Sequence, residues 1–204
     1  MSEHDEATLP DVPPLVTLGD PRLAQPSAPV DPALITTPEF QARLRTLADA
    51  MAVYLGIGIA APQIGWFERF FLILEEVQEG DEPPRHVLHA WINPEITSVS
   101  KEQGWAWEGC LSVPGLRGWV RRPLAIAVRG FDAGGNPVSR EFTGWPARVF
   151  QHEYDHLDGY LYPYRVSDPT HLVMTEHLAN MADWPEDWPA PGARDTAPGT
   201  VLPE

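Results

Sequence analysis

His152-Glu-Tyr-Asp-His156 lies inside a stretch, from about Pro146 to Leu157, that reads as a helix stopping before Gly159. Two histidines four residues apart on a helix project from one face, so two imidazole nitrogens can converge on one metal ion. Glu153 stands beside the first of them, placed to reach a metal-bound water. A catalytic mononuclear site needs three protein ligands and one open position. The chain has a single cysteine, Cys110, set in Glu108-Gly-Cys-Leu-Ser112. A lone cysteine is most often a small buried hydrophobe. Glycine and acid next to it argue against plain packing, and two imidazoles with one thiolate form an allowed set for zinc or ferrous iron.

Working outward from that helix, Phe70–Leu74, Val87–Ile92 and Leu124–Gly130 read as strands, and Asp132–Asn136 as a turn into a fourth strand around Val138–Phe142. A helix is expected from Thr36 or Thr37, where Thr36 and Glu39 have the form of a capping box and Pro38 suits the first turn. Phe40, Leu44, Leu47, Met51 and Leu55 give it one apolar face, and Gly56 ends it. A third helix is expected from Ser167 or Asp168 to Met181. Strands and helices do not alternate regularly, so the fold class is α+β rather than a doubly wound parallel sheet.

The 204 residues suit one domain with some surplus at the ends. Residues 1–15 read as a flexible acidic tail, 16–183 as a single catalytic domain, and 184–204 as a disordered or loosely packed end that Trp184 and Trp188 could pin. The segment to about Thr36 reads as an extended arm over the domain. With 14 basic and 29 acidic residues the net charge is −15, and Lys101 is the sole lysine. Non-specific nucleic-acid binding and an anionic membrane surface both ask for positive potential, so neither is expected. One cysteine cannot make an internal disulfide, and neither a signal peptide nor a membrane span is evident. The expected location is the cytoplasm.

A further segment, Gly56-Ile-Gly-Ile-Ala-Ala-Pro-Gln63, lacks phosphate-loop spacing, and no strand is evident before it. Together with Glu108–Ser112 and His152–Gly159, in that order, it resembles the peptide deformylase family over roughly residues 16–166. The resemblance implies mixed or antiparallel strands packed around a central HExxH-bearing helix. It implies a metal-dependent hydrolase that removes the formyl group from the N-terminal formyl-methionine of nascent polypeptides, releasing formate. Cys110, His152 and His156 would be the metal ligands and Glu153 the general base and proton donor. The Gln63 side-chain amide and the Leu111 backbone N–H would form the oxyanion hole. Gly58 would bond the substrate backbone, and Ile57, Leu116 and Val149 would help line the methionine pocket. Glu108 would tie to an arginine, Arg117 or Arg148. Fe(II) is implied as the native ion, one per chain, with Zn(II), Ni(II) or Co(II) able to replace it; the donor set alone does not choose. Nascent chains would be met at the ribosome exit, although no basic docking tail is evident. A related enzyme acting on another small acyl group, or a non-catalytic metal-stabilised domain, are the alternatives.

Overall fold

The computed structural model describes residues 10–78, 80, 82–197 and 199–204. Two antiparallel sheets hold the strands. The first has the order β1 (Gly58–Ala60), β2 (Phe70–Val77), β3 (Arg85–Val99), β6 (Ala125–Phe131) and β7 (Pro137–Thr143). The second runs β8 (Leu172–Met174), β5 (Val113–Pro123), β4 (Gln103–Cys110) and β9 (Leu202–Pro203). Helix α1 spans Pro38–Val53 and α2 spans Gly144–Leu157. The α+β expectation therefore holds.

Helix α2 runs between the sheets because it is apolar on one side and polar on the other. Ala147, Phe150 and Leu157 bury against Phe71, Ile73, Trp91, Ile126 and Phe142 of the first sheet. Edge-on aromatic contacts fix that face: Phe150 meets Phe71 and Trp91 with ring centroids 5.0 Å apart in each case. The opposite side of α2 carries Arg148, His152 and Glu153 toward a cavity that β4 also lines. Helix α1 closes the far side of the first sheet through Phe40, Leu44, Leu47 and Met51 of the expected apolar face. Leu55 is not part of it: the helix ends at Val53, and Leu55 turns to positive φ with its side chain exposed.

Several expected elements come out differently. The cap of α1 is Thr37, whose hydroxyl accepts from the Phe40 N–H at 3.3 Å, so the Thr36–Glu39 capping box does not form. The helix expected over 168–181 is instead a short 3-10 turn at Pro169–His171, strand β8 and a 3-10 stretch at Thr175–Asp183. Pro169 opens the 3-10 turn, capped by Asp168, but the chain then leaves the helical path because β5 offers an edge that Leu172–Met174 fills. Neither β4 nor β5 was expected, although β4 carries Glu108 and Cys110 and β5 carries Arg122.

The ends are better ordered than composition suggests. Residues 1–9 of the expected acidic tail lie outside the described residues; Val12 and Leu15 already pack against the α1 core. The arm that follows is tied by Val16 N–H to Gln63 O at 2.8 Å and by Ser27 N–H to Leu157 O at 2.8 Å. The end expected to be loose is packed: Trp184, Trp188, Ala193 and Leu202 join Trp107 and Trp119 in one cluster. Indole burial there outweighs the disordering bias of five prolines. Among the described residues no helix is long and apolar enough to cross a membrane.

Candidate metal centre

The two halves of the site come from different layers. Cys110 ends β4, at the irregular tip of the β4–β5 hairpin where it pairs with Val113. His152 and His156 come from successive turns of α2, and their rings lie 5.3 Å apart. The ligand-capable atoms of Cys110, His152 and His156 all fall within 4.8 Å of one another, with Cys110 Sγ 3.2 Å from His156 Nε2. The expected trio is thus assembled.

Fit to a cation is testable from the surroundings. His152 Nδ1 contacts Glu108 Oε2 at 2.9 Å; donating there orients the ring and leaves Nε2 available as a ligand. Burial would lower the His152 pKa, yet Cys110 and Glu108 outweigh it and hold it well above the usual imidazole value. This corner of the protein therefore stabilises positive charge. His156 goes the other way: burial, then His152 and Arg122, keep it neutral, the form a ligand needs. A divalent ion between these groups fits both tendencies.

Glu108 is held in a buried ionic network. Arg122 donates to both its oxygens, at 2.6 and 2.8 Å, and Arg148 adds a third bond at 2.6 Å. Burial would raise the carboxyl, but the Arg122 guanidinium and His152 overcome this and hold it well below the carboxylate range. Arg122 also donates to Asp155 at 2.7 Å, and Asp155 accepts from Arg165 as well. Of the two expected arginines, Arg148 is present and Arg117 is not. The Arg117 guanidinium lies across Gly109, bonding Leu116 O and Thr175 Oγ1. The principal partner, Arg122, and the second acid, Asp155, were missed.

Gln63 is oriented as a donor. Its Oε1 is taken by the Ala60 N–H at 2.8 Å, which turns Nε2 toward Cys110 Sγ at 3.5 Å and Ser112 Oγ at 3.2 Å. Glu153 is buried, and burial chiefly lifts its carboxyl to about 7. Its Oε2 is enclosed without a hydrogen-bond partner among the described residues. A Cβ on Gly58 would stand 2.4 Å from Glu153 Oε1, so the absence of a side chain at 58 is what lets this carboxylate in.

A cavity of about 290 Å³ opens beside these groups. Ile57 and Val149, the expected pocket residues, line it, together with Gly58, Leu111, Trp107 and Trp145. Leu116 does not: it packs with Val113, Val120 and Leu161 on the other side of Cys110.

Comparison with known proteins agrees with this geometry. Residues 12–171 match the family model for polypeptide deformylase. Peptide deformylase 1 of Nitrosomonas europaea is 42% identical over 169 residues, covering 81% of this chain and 93% of that protein. Peptide deformylase 1 of Bordetella pertussis is 42% identical over 172 residues, covering 80% and 93%. Among solved structures, the K4U-bound class I type b peptide deformylase of Acinetobacter baumannii superposes with a TM-score of 0.70 at 32% identity, covering 78% of this chain and all of that one. The Thermotoga maritima peptide deformylase gives 0.67 at 34% identity, with coverage of 78% and 100%. With the hairpin cysteine, the helical histidine pair and the enclosed carboxylate gathered at one cavity, and with this match over most of its length, the chain belongs to the peptide deformylase family.

Proposed function

We propose that Cys110, His152 and His156 hold one divalent ion, and that Glu153, Gln63 and the Leu111 N–H carry out the remaining chemistry on a formyl-methionyl N-terminus. As a peptide deformylase the chain is a metal-dependent hydrolase that removes the N-formyl group from nascent peptides. The observation that carries the residue assignment is the convergence of one thiolate and two imidazoles beside an enclosed, partner-free carboxylate oxygen.

The bound ion supplies a Lewis acid and lowers the pKa of water at the site. Glu153, with its carboxyl poised by burial, accepts the proton of the attacking water through the free Oε2 and later delivers it to the departing amine. Gln63 Nε2 and the Leu111 N–H donate to the former formyl oxygen as negative charge builds on it. The C–N bond breaks, and formate and a free α-amine leave. Gly58 offers backbone to the substrate. Ile57 and Val149 receive the methionine side chain, Leu116 having no part in the cavity. Glu108, fixed by Arg122 and Arg148, positions His152 rather than touching substrate.

Iron(II) is the ion we assign, one per chain, on the family resemblance; Zn(II), Ni(II) or Co(II) satisfy the same donors. The reaction is assigned to the cytoplasm, near the ribosome exit and without a basic docking segment. Protein purified anaerobically, with metal content measured beside formate release from formyl-Met-Ala-Ser, tests the reading. One ion per chain and hydrolysis that stops on chelation and returns with Fe(II) are expected. A clear preference for acetyl-Met over formyl-Met peptides, or full hydrolysis by Glu153→Ala, would overturn it.

A further inference from the structure

We infer that the segment Gly199–Glu204 forms the far wall of the pocket for the first side chain of the substrate, and so limits how long that side chain can be. This rests on the assignment of Val149 to that pocket. Val149 and Trp145 are four residues apart on α2, hence neighbours on one helical face, and both line the cavity. Gly199 lines it too, seated against Trp145: a Cβ there would lie 3.9 Å from the indole Cε2. Its φ of +84° and missing side chain keep that part of the cavity open.

The wall is fixed in place. Beyond Gly199 the chain pairs with β4, Gly104 opposite Pro203 and Trp105 opposite Leu202. Val201 sits so close over Gly104 that a Cβ at 104 would be 2.6 Å from it. Glu204 accepts from Trp105 Nε1 at 2.9 Å and pairs with Arg121 at 2.5 Å. The Gly104 carbonyl beneath this strap accepts from Arg148 Nη2 at 2.6 Å, tying the strap to the Glu108 network. All of these strap residues lie beyond residue 171, outside the stretch matched to the family.

One methylene more or less in an apolar pocket changes discrimination by about 10- to 200-fold. The test compares kcat/KM for formyl-Met-Ala-Ser, formyl-Ala-Ala-Ser and formyl-Phe-Ala-Ser in the metal-loaded wild type, in Gly199→Asn and in Leu202→Ala. Asparagine tolerates positive φ, so Gly199→Asn adds bulk at the wall with little backbone strain. Its Met-to-Ala ratio should fall about tenfold. Leu202→Ala loosens the strap and should raise Phe relative to Met by about tenfold. Partial unfolding lowers all three rates together and leaves the ratios unmoved, so the ratios isolate the wall. A Met-to-Ala ratio within about twofold of wild type in Gly199→Asn, with wild type still preferring methionine, overturns the wall alone. A wild type with no preference for methionine overturns the pocket assignment as well.

Discussion

The two oxygens of Glu153 have different neighbours, and that asymmetry defines the chemistry. Oε1 is pressed against the bare Cα of Gly58, while Oε2 is enclosed with no partner among the described residues. Glu153→Gln keeps the shape but cannot take a proton; kcat should fall by about 10²- to 10⁴-fold, with metal content by mass spectrometry unchanged. Gly58→Ala acts indirectly, forcing the carboxylate aside. Because a misplacement of about 1 Å can cost about 10²-fold, its kcat should fall by that order while the unfolding midpoint moves little. At this scale the sequence was informative wherever chemistry imposes spacing. His152, Glu153 and His156 sit in one short helical motif whose geometry is local and Cys110 is the one thiolate available, whereas Gln63 was legible only through the resemblance of its segment to the family. Leu116 was misread because its side chain's direction depends on long-range strand pairing, opposite Met174, and not on its neighbours in the chain.

The β4–β5 hairpin shows what one strand register decides. Glu108 pairs with Gly118 and Gly104 with Arg122, so Glu108 and Arg122 share a sheet face. Arg117 and Trp119 alternate to the other face. Period-two parity would have selected Arg122 and excluded Arg117, but only once β5 was recognised as a strand. Its glycines at 115 and 118 and prolines at 114 and 123 hid it. Arg122→Ala leaves two buried carboxylates short of a partner and should destabilise by about 3–5 kcal/mol in urea unfolding. Arg117→Ala should cost about 1 kcal/mol or less. In α1 the same logic applies to the cap: Thr37→Ala should lose about 1 kcal/mol. Thr36→Ala should stay within about 0.5 kcal/mol, and equal losses would contradict the cap assignment.

Across the whole molecule, the α+β class and the helix between strands were legible, because hydrophobic periodicity survives in α1, α2 and β2. The ends were not. Proline content around 184–204 reads as disorder, yet Trp184 and Trp188 meet edge to face with centroids 4.8 Å apart and join the buried Trp107 and Trp119. Long-range burial of aromatic surface is invisible to local composition. The metal centre also has a consequence for how the layers hold together. Cys110 belongs to the second sheet, whereas His152 and His156 belong to a helix packed on the first. An ion shared by all three is a cross-link between layers, so loading should raise the thermal midpoint of the chelated protein by linkage. It should also slow amide hydrogen exchange most in the β4–β5 hairpin, because hairpin and helix could then separate only by releasing the ion or unfolding together.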